Sequence, residues 1–142
     1  DVLIACSAAG CLGRVASFRN DGRVASTDTH VAIARANRDV VEPDYLYAYL
    51  RGAQGQHQLR SRERGDWRRE KIGFRLTELN LDDLRAVPVP VPAVAEQKRI
   101  VAKVAALRSN VAALVSGQIK VDELLAAFVP AILGRAFRSE LG

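Results

Sequence analysis

At 142 residues the chain fits one domain, and a long C-terminal helical stretch leaves only about 90 residues for a folded head, enough for a small core. No run approaches 18 consecutive apolar residues and no charged-then-apolar leader opens the chain, so it reads as soluble and not exported, a cytoplasmic protein with no membrane role. Two cysteines, Cys6 and Cys11, exclude a disulfide scaffold and lack zinc-ligand spacing; they read as small buried thiols in a reducing compartment. The net charge of +5 is uneven: residues 51–75 carry eight Lys and Arg against three acids, while the flanking segments are nearly balanced. A local basic patch on a balanced protein points to a polyanion, most often nucleic acid.

The fold class expected is α+β: a small β-rich head with short helices over residues 1–91, then a long coiled-coil helix with a short C-terminal helix over 92–142. DVLIAC reads as a buried strand, and the first residue and lack of methionine suggest that a further piece precedes it. Ala8, Ala9, Gly10 and Gly13 form a small-residue loop before LGRVASFR, a second strand. Asn20-Asp21-Gly22 is a turn signal, after which VASTDTHVAIAR resumes strand character with His30, Ala32 and Ala34 on one face. The first 36 residues thus read as a β-meander. Glu42-Pro43-Asp44 opens a helix with Leu46, Tyr49 and Leu50 inward, weakened by Gly52 and Gly55. A basic segment follows, then a short helix capped by Asn80. VPVPVP next lacks the donors of a central strand and reads as an edge strand or extended connector.

From Pro92 to about Phe128 apolar side chains recur at alternating steps of three and four. Val104, Val111 and Leu125 take heptad position a; Ile100, Leu107, Leu114, Val121 and Phe128 take d. A 3.5-residue repeat over four heptads argues for a coiled-coil seam. Gln97 and Gln118 fall at a, where a buried amide costs stability and fixes register. No other long helix exists in the chain, so the partner is another chain or another part of the same protein. Pro130 is expected to break or kink the helix, leaving AILGRAFRSELG as a short terminal helix.

The basic segment carries Arg60, Arg62, Arg64, Trp67, Arg68, Arg69, Lys71 and Arg75. The arginine fork grips phosphate or reads a guanine edge, Trp67 can stack, and Gly65 and Gly73 permit close backbone approach. Glu63, Asp66 and Glu70 offer the opposite account, in which the arginines are neutralised within a solvated loop; Asp66 and Glu70 can also accept from cytosine. No catalytic constellation is visible. Ser7, Ser26, Asp28 and His30 can be arranged as a triad on paper, but no Gly-x-Ser-x-Gly surrounds either serine, and His30 reads as a packed or hydrogen-bonded histidine. Phosphate-binding glycine loops and the Asn/Asp-Pro-Pro-aromatic motif of amino-methyltransferases are also missing. No cofactor or metal is expected.

The order of parts resembles the specificity subunit of type I restriction–modification systems. DVLIACSAAGCLGRVA is similar to that family's strand–loop–strand, and ASTDTHVAIAR and PDYLYAYLRG resemble the segments after it. LNLDDLRAVPVPVPAVAEQKRIVAKV, with Glu96-Gln97 and Ile100-Val101 opening the long helix, is the most specific match. AILGRAFRSEL resembles the family's close, with Ser139 where Gly is common. The resemblance implies a non-catalytic subunit whose recognition domains each read half of a bipartite duplex-DNA site. It implies paired helices that act as a ruler and dock methyltransferase (M) subunits, and in restriction complexes the restriction (R) subunit. Base specificity does not transfer. Two alternatives remain: a coiled-coil scaffold with no DNA reading of its own, and an RNA-binding or regulatory protein with the same charge layout.

Overall fold

A computed structural model describes residues 1–7, 11–65 and 77–138. Its elements are β1 (Val2–Ala5), β2 (Val15–Ser17), β3 (Val31–Ala34), α1 (Pro43–Arg51), α2 (Ala53–Arg60), β4 (Arg64–Gly65), β5 (Thr77–Glu78), α3 (Leu81–Arg85) and α4 (Val94–Phe137). The α+β expectation holds: a small antiparallel sheet, short helices and one long C-terminal helix. The chain divides into two compact units, the first ending at Ala102 and the second starting at Lys103.

In the first unit β1 is central, flanked by β2 and β3, both antiparallel. This corrects the meander, in which β2 would lie in the middle. β1 carries the most apolar run, with Val2 and Ile4 buried on one face and Leu3 half-buried on the other. A strand covered on both faces belongs inside the sheet. The third strand is also shorter than expected: residues 24–30 are exposed and non-strand, and His30 lies in the turn before β3. Gly22 closes the preceding turn at φ 92°, and its N–H donates to Asn20 Oδ1 at 2.9 Å.

Val2, Ile4, Leu50, Leu59 and Leu79 form the core. α1 starts with Pro43 in its first turn and Asp44 beside it, as the sequence suggests, and buries Tyr45 and Leu50. Gly52 ends it in extended conformation, its N–H shared between Ala48 O and Tyr49 O. The polar run after it is a helix in its own right, contrary to the weakening expected of Gly52 and Gly55. The reason lies in packing. A Cβ on Gly55 would sit 2.3 Å from Tyr49 O and 2.5 Å from Leu50 Cα, so only glycine lets α2 lie on the end of α1. Gln56 fastens the same corner, its Nε2 donating to Gly13 O at 2.9 Å and Leu50 O at 2.8 Å. Leu59, fully buried, is the result.

Asn80 caps α3 as expected, accepting from Asp83 N at 2.7 Å. The proline-alternating segment after it is a connector with no strand assignment. α4 then begins at Val94, and Gln97 corrects its own reading. It is not an amide in an inter-helix seam but a fully buried clamp within the first unit. Its Oε1 accepts from Glu42 N at 2.8 Å, and its Nε2 donates to Val40 O at 2.8 Å and Pro92 O at 2.7 Å. With every polar atom engaged, burial of the amide is tolerated.

In the second unit α4 continues to Phe137 with Pro130 inside it. The separate terminal helix expected from Pro130 is therefore not seen. A proline removes one i→i−4 bond, here to Ala126 O, and the turns on either side keep theirs. Ser139 and the rest of the terminal sequence lie outside the described residues.

Candidate DNA-recognition surface and pairing helix

The arginines that the sequence singles out fall into three groups. Arg60 stands at the last turn of α2, exposed, with no partner for its guanidinium among the described residues. Arg62 is folded back onto the protein: Nη1 donates to Gln58 O at 3.0 Å and Gln58 Oε1 at 2.7 Å, and Nη2 donates to Ala86 O at 3.0 Å. Arg64 forms a bidentate pair with Asp83, Nε to Oδ2 at 2.7 Å and Nη2 to Oδ1 at 2.8 Å. That fork–fork pair holds the Arg64 guanidinium above its usual range, the hydrogen bond to Asp83 being the main cause. Internal neutralisation thus accounts for Arg64, though its partner is Asp83 and not one of the acids of the loop. Trp67, Arg68, Arg69, Lys71 and Arg75 lie outside the described residues, as do Asp66, Glu70 and Gly73.

β4 and β5 frame this segment as an antiparallel pair, Arg64 opposite Glu78. The pair is tied to the central sheet through a bridge between Ser7 and Glu78 and through Leu79 N to Cys6 O at 2.8 Å. The described residues on either side of the basic segment, Arg64–Gly65 and Thr77–Glu78, are therefore joined to the core sheet.

The second surface is the helix. Ile100 and Val104 are half-buried, whereas Leu107, Val111, Leu114, Val121, Leu125 and Phe128 are exposed, Leu114 at 74%. Gln118 is exposed among them. The structure also brings out apolar positions that the a/d reading omits. Val115, Ile119, Val129, Ile132 and Leu133 are exposed too. Val115, Ile119, Val129 and Leu133, with Ala126, run at helical steps beside the seam and widen it beyond a two-helix stripe. The signal was legible in the spacing of these side chains but was masked by the stronger heptad. An 18-residue window in α4 reaches a mean hydropathy of 1.3, enough by length and composition to cross a membrane, against the expectation from apolar runs alone. Charged residues are spaced along α4, among them Lys103, Arg108, Lys120, Asp122 and Glu123, and the heptad pattern accounts for its apolar side chains.

The residues weighed for catalysis do not assemble. Ser7 Oγ and His30 Nδ1 are hydrogen-bonded, which bears out the hydrogen-bonded reading of His30. A hydrolase triad places the serine on Nε2 and the acid on Nδ1. Here Nδ1 is taken by the serine, and Asp28 instead accepts from the Thr29 N–H and hydroxyl. Cys6 and Cys11 are free and half-buried, and burial pushes the Cys6 thiol up, away from thiolate chemistry. Among the described residues no cluster of His, Cys, Asp and Glu could hold a metal ion.

The family model of the type I restriction modification DNA specificity domain matches residues 1–121. The chain belongs to that family. No curated protein and no solved structure matches it. Its role is therefore DNA recognition within a type I restriction–modification system, and the family is one of non-catalytic subunits. The match spans the whole head and the helix up to Val121, so both surfaces described above belong largely to the specificity domain. The long helix fits a coiled coil.

Proposed function

We propose that this specificity domain reads one half of a bipartite duplex-DNA site through its basic segment and uses α4 to pair with a second long helix and to dock the M subunit. The reading includes a cytoplasmic location, and an R subunit would join where the system restricts. The observation that carries it is the exposed apolar face of α4. A stripe from Leu107 to Phe128 left open to water needs a partner, because contiguous exposed apolar surface of this length is disfavoured in an isolated soluble chain. A helix apolar on more than its a/d seam suits two neighbours: a partner helix on the seam and a second protein beside it. The charged side chains between these rows are mixed in sign, which disfavours the helix itself as a DNA reader.

DNA contact is assigned to Arg60, Trp67, Arg68, Arg69, Lys71 and Arg75, with Arg64 and Arg62 shaping the base of the loop from their intramolecular bonds. Arg68→Ala with Arg69→Ala tests this. Every phosphate that is no longer gripped should lower the slope of log binding constant against log salt by about 0.9. Duplex binding by the complex with the M subunit should weaken and its salt dependence flatten; an unchanged slope removes the loop from the interface.

One observation favours the scaffold alternative: two of the three arginines at the start of the basic run, Arg62 and Arg64, are committed within the protein. A complex that binds the M subunit while both half-sites of the DNA are contacted by other polypeptides would establish it.

A further inference from the structure

The segment Ala86–Pro92 reads AVPVPVP, and its alternate carbonyls are taken one after another by side chains. Arg62 Nη2 donates to Ala86 O at 3.0 Å, the Tyr49 hydroxyl to Pro88 O at 2.9 Å, the Tyr45 hydroxyl to Pro90 O at 2.8 Å, and Gln97 Nε2 to Pro92 O at 2.7 Å. Pro88, Pro90 and Pro92 have no N–H, so this backbone cannot join a sheet through both edges. Each valine before a proline is held extended, and in an extended chain the carbonyls two residues apart face the same way. The donors match that repeat. Tyr45 and Tyr49 are one helical turn apart on α1, about 6 Å along its axis. Two residues of extended chain advance about 6.6 Å. α1 therefore acts as a rack on which the connector lies in register.

The rack continues into α4. Gln97, in the first turn of that helix, holds both the last carbonyl of the series and the backbone at the start of α1, Glu42 N and Val40 O. Tyr45, a phenol, is protonated and donates at neutral pH, and burial, with Tyr49 adding to it, raises its hydroxyl further above the usual range. Glu42 also reaches Lys98 at 3.4 Å, a second tie between the same two helix ends.

We infer that Tyr45, Tyr49 and Gln97 are positioning residues that make the connector a fixed strut and set the angle at which the first turns of α4 leave the recognition head. The consequence for DNA rests on the function proposed above: with the angle fixed, the spacer between the two half-sites is fixed too. A hinge at the same place would let one enzyme accept several spacers.

Tyr45→Phe with Tyr49→Phe removes two hydroxyls and keeps both rings in place. Spin labels at Gln54 and Ala102, in a Cys6→Ala, Cys11→Ala background, read the distance between α2 and the start of α4. The parent should give one narrow distribution and the double variant one at least roughly twofold broader, as expected when a rigid junction becomes a hinge. An equally narrow distribution in the variant overturns the strut. In the complete complex with the M subunit, the parent should methylate sites of one spacer length and the variant should add sites one base pair longer or shorter. A single unchanged spacer, with the distances broadened, overturns the positioning role. Absence of methylation by the parent counts against the proposed function, and the label distances still decide the strut. If the double variant loses cooperative melting, Tyr49→Phe alone, whose bond lies at the surface, carries the same comparison.

Discussion

Replacing Leu114 by alanine separates the stability of the chain from its assembly. Leu114 is 74% exposed, so within the single chain its side chain buries little and its loss should leave the melting of the head unchanged. In a covered seam the sum is different. Leu→Ala removes about three carbons, and at about 0.8 kcal/mol per buried CH₂ the loss is about 2 kcal/mol. That corresponds to about 30-fold in association constant, since about 1.4 kcal/mol is tenfold. If two identical helices pair, both carry the change and the effect approaches about 10³-fold. Val121→Ala should act in the same direction and more weakly. Sedimentation equilibrium of the purified chain, alone and with the M subunit, measures association; calorimetry of the same samples measures the head. Association that is unaffected by Leu114→Ala would refute the seam. A head that melts lower would show that Leu114 packs within its own chain.

Two further substitutions test the head. Gly55→Ala should destabilise it by about 1–3 kcal/mol, because the methyl would meet Tyr49 O and Leu50 Cα and the clash outweighs the roughly 1 kcal/mol that alanine gains in a helix; a raised melting temperature would contradict the packing of α2 on α1. Asn80→Ala should cost about 1 kcal/mol in denaturant unfolding by removing the cap on Asp83 N, and an unchanged midpoint would show that α3 does not need it.

The parts of the fold that local chemistry controls were legible in the sequence. Pro43 and Asp44 mark the start of α1, Asn80 caps α3, Asn20-Asp21-Gly22 turns the chain, and the apolar steps from Ile100 to Phe128 define a long helix. What escaped depends on contacts far apart in the chain. β1 is central because Val2 and Ile4 meet Leu50, Leu59 and Leu79, and no local pattern orders three short strands. Gly55 resembles a helix breaker until α1 lies against it. Gln97 falls at a heptad position, but its partners are 55 and 57 residues away, so its heptad register misled. Arg62 and Arg64 counted as free positive charge in the sequence, whereas Gln58, Ala86 and Asp83 engage them in the fold. The alternating prolines did signal an extended connector, and only the tyrosines on α1 reveal why it is straightened.

The most direct test of the central claim is to co-express the full-length gene carrying this chain with its M subunit and map adenine methylation on a plasmid. The expected result is a single bipartite motif with a fixed spacer. A palindromic motif would mean that two identical heads are paired through α4, and an asymmetric one that this head is half of a two-headed subunit. Methylation that does not depend on this chain, or none at all, would contradict the claim that it reads DNA for the enzyme.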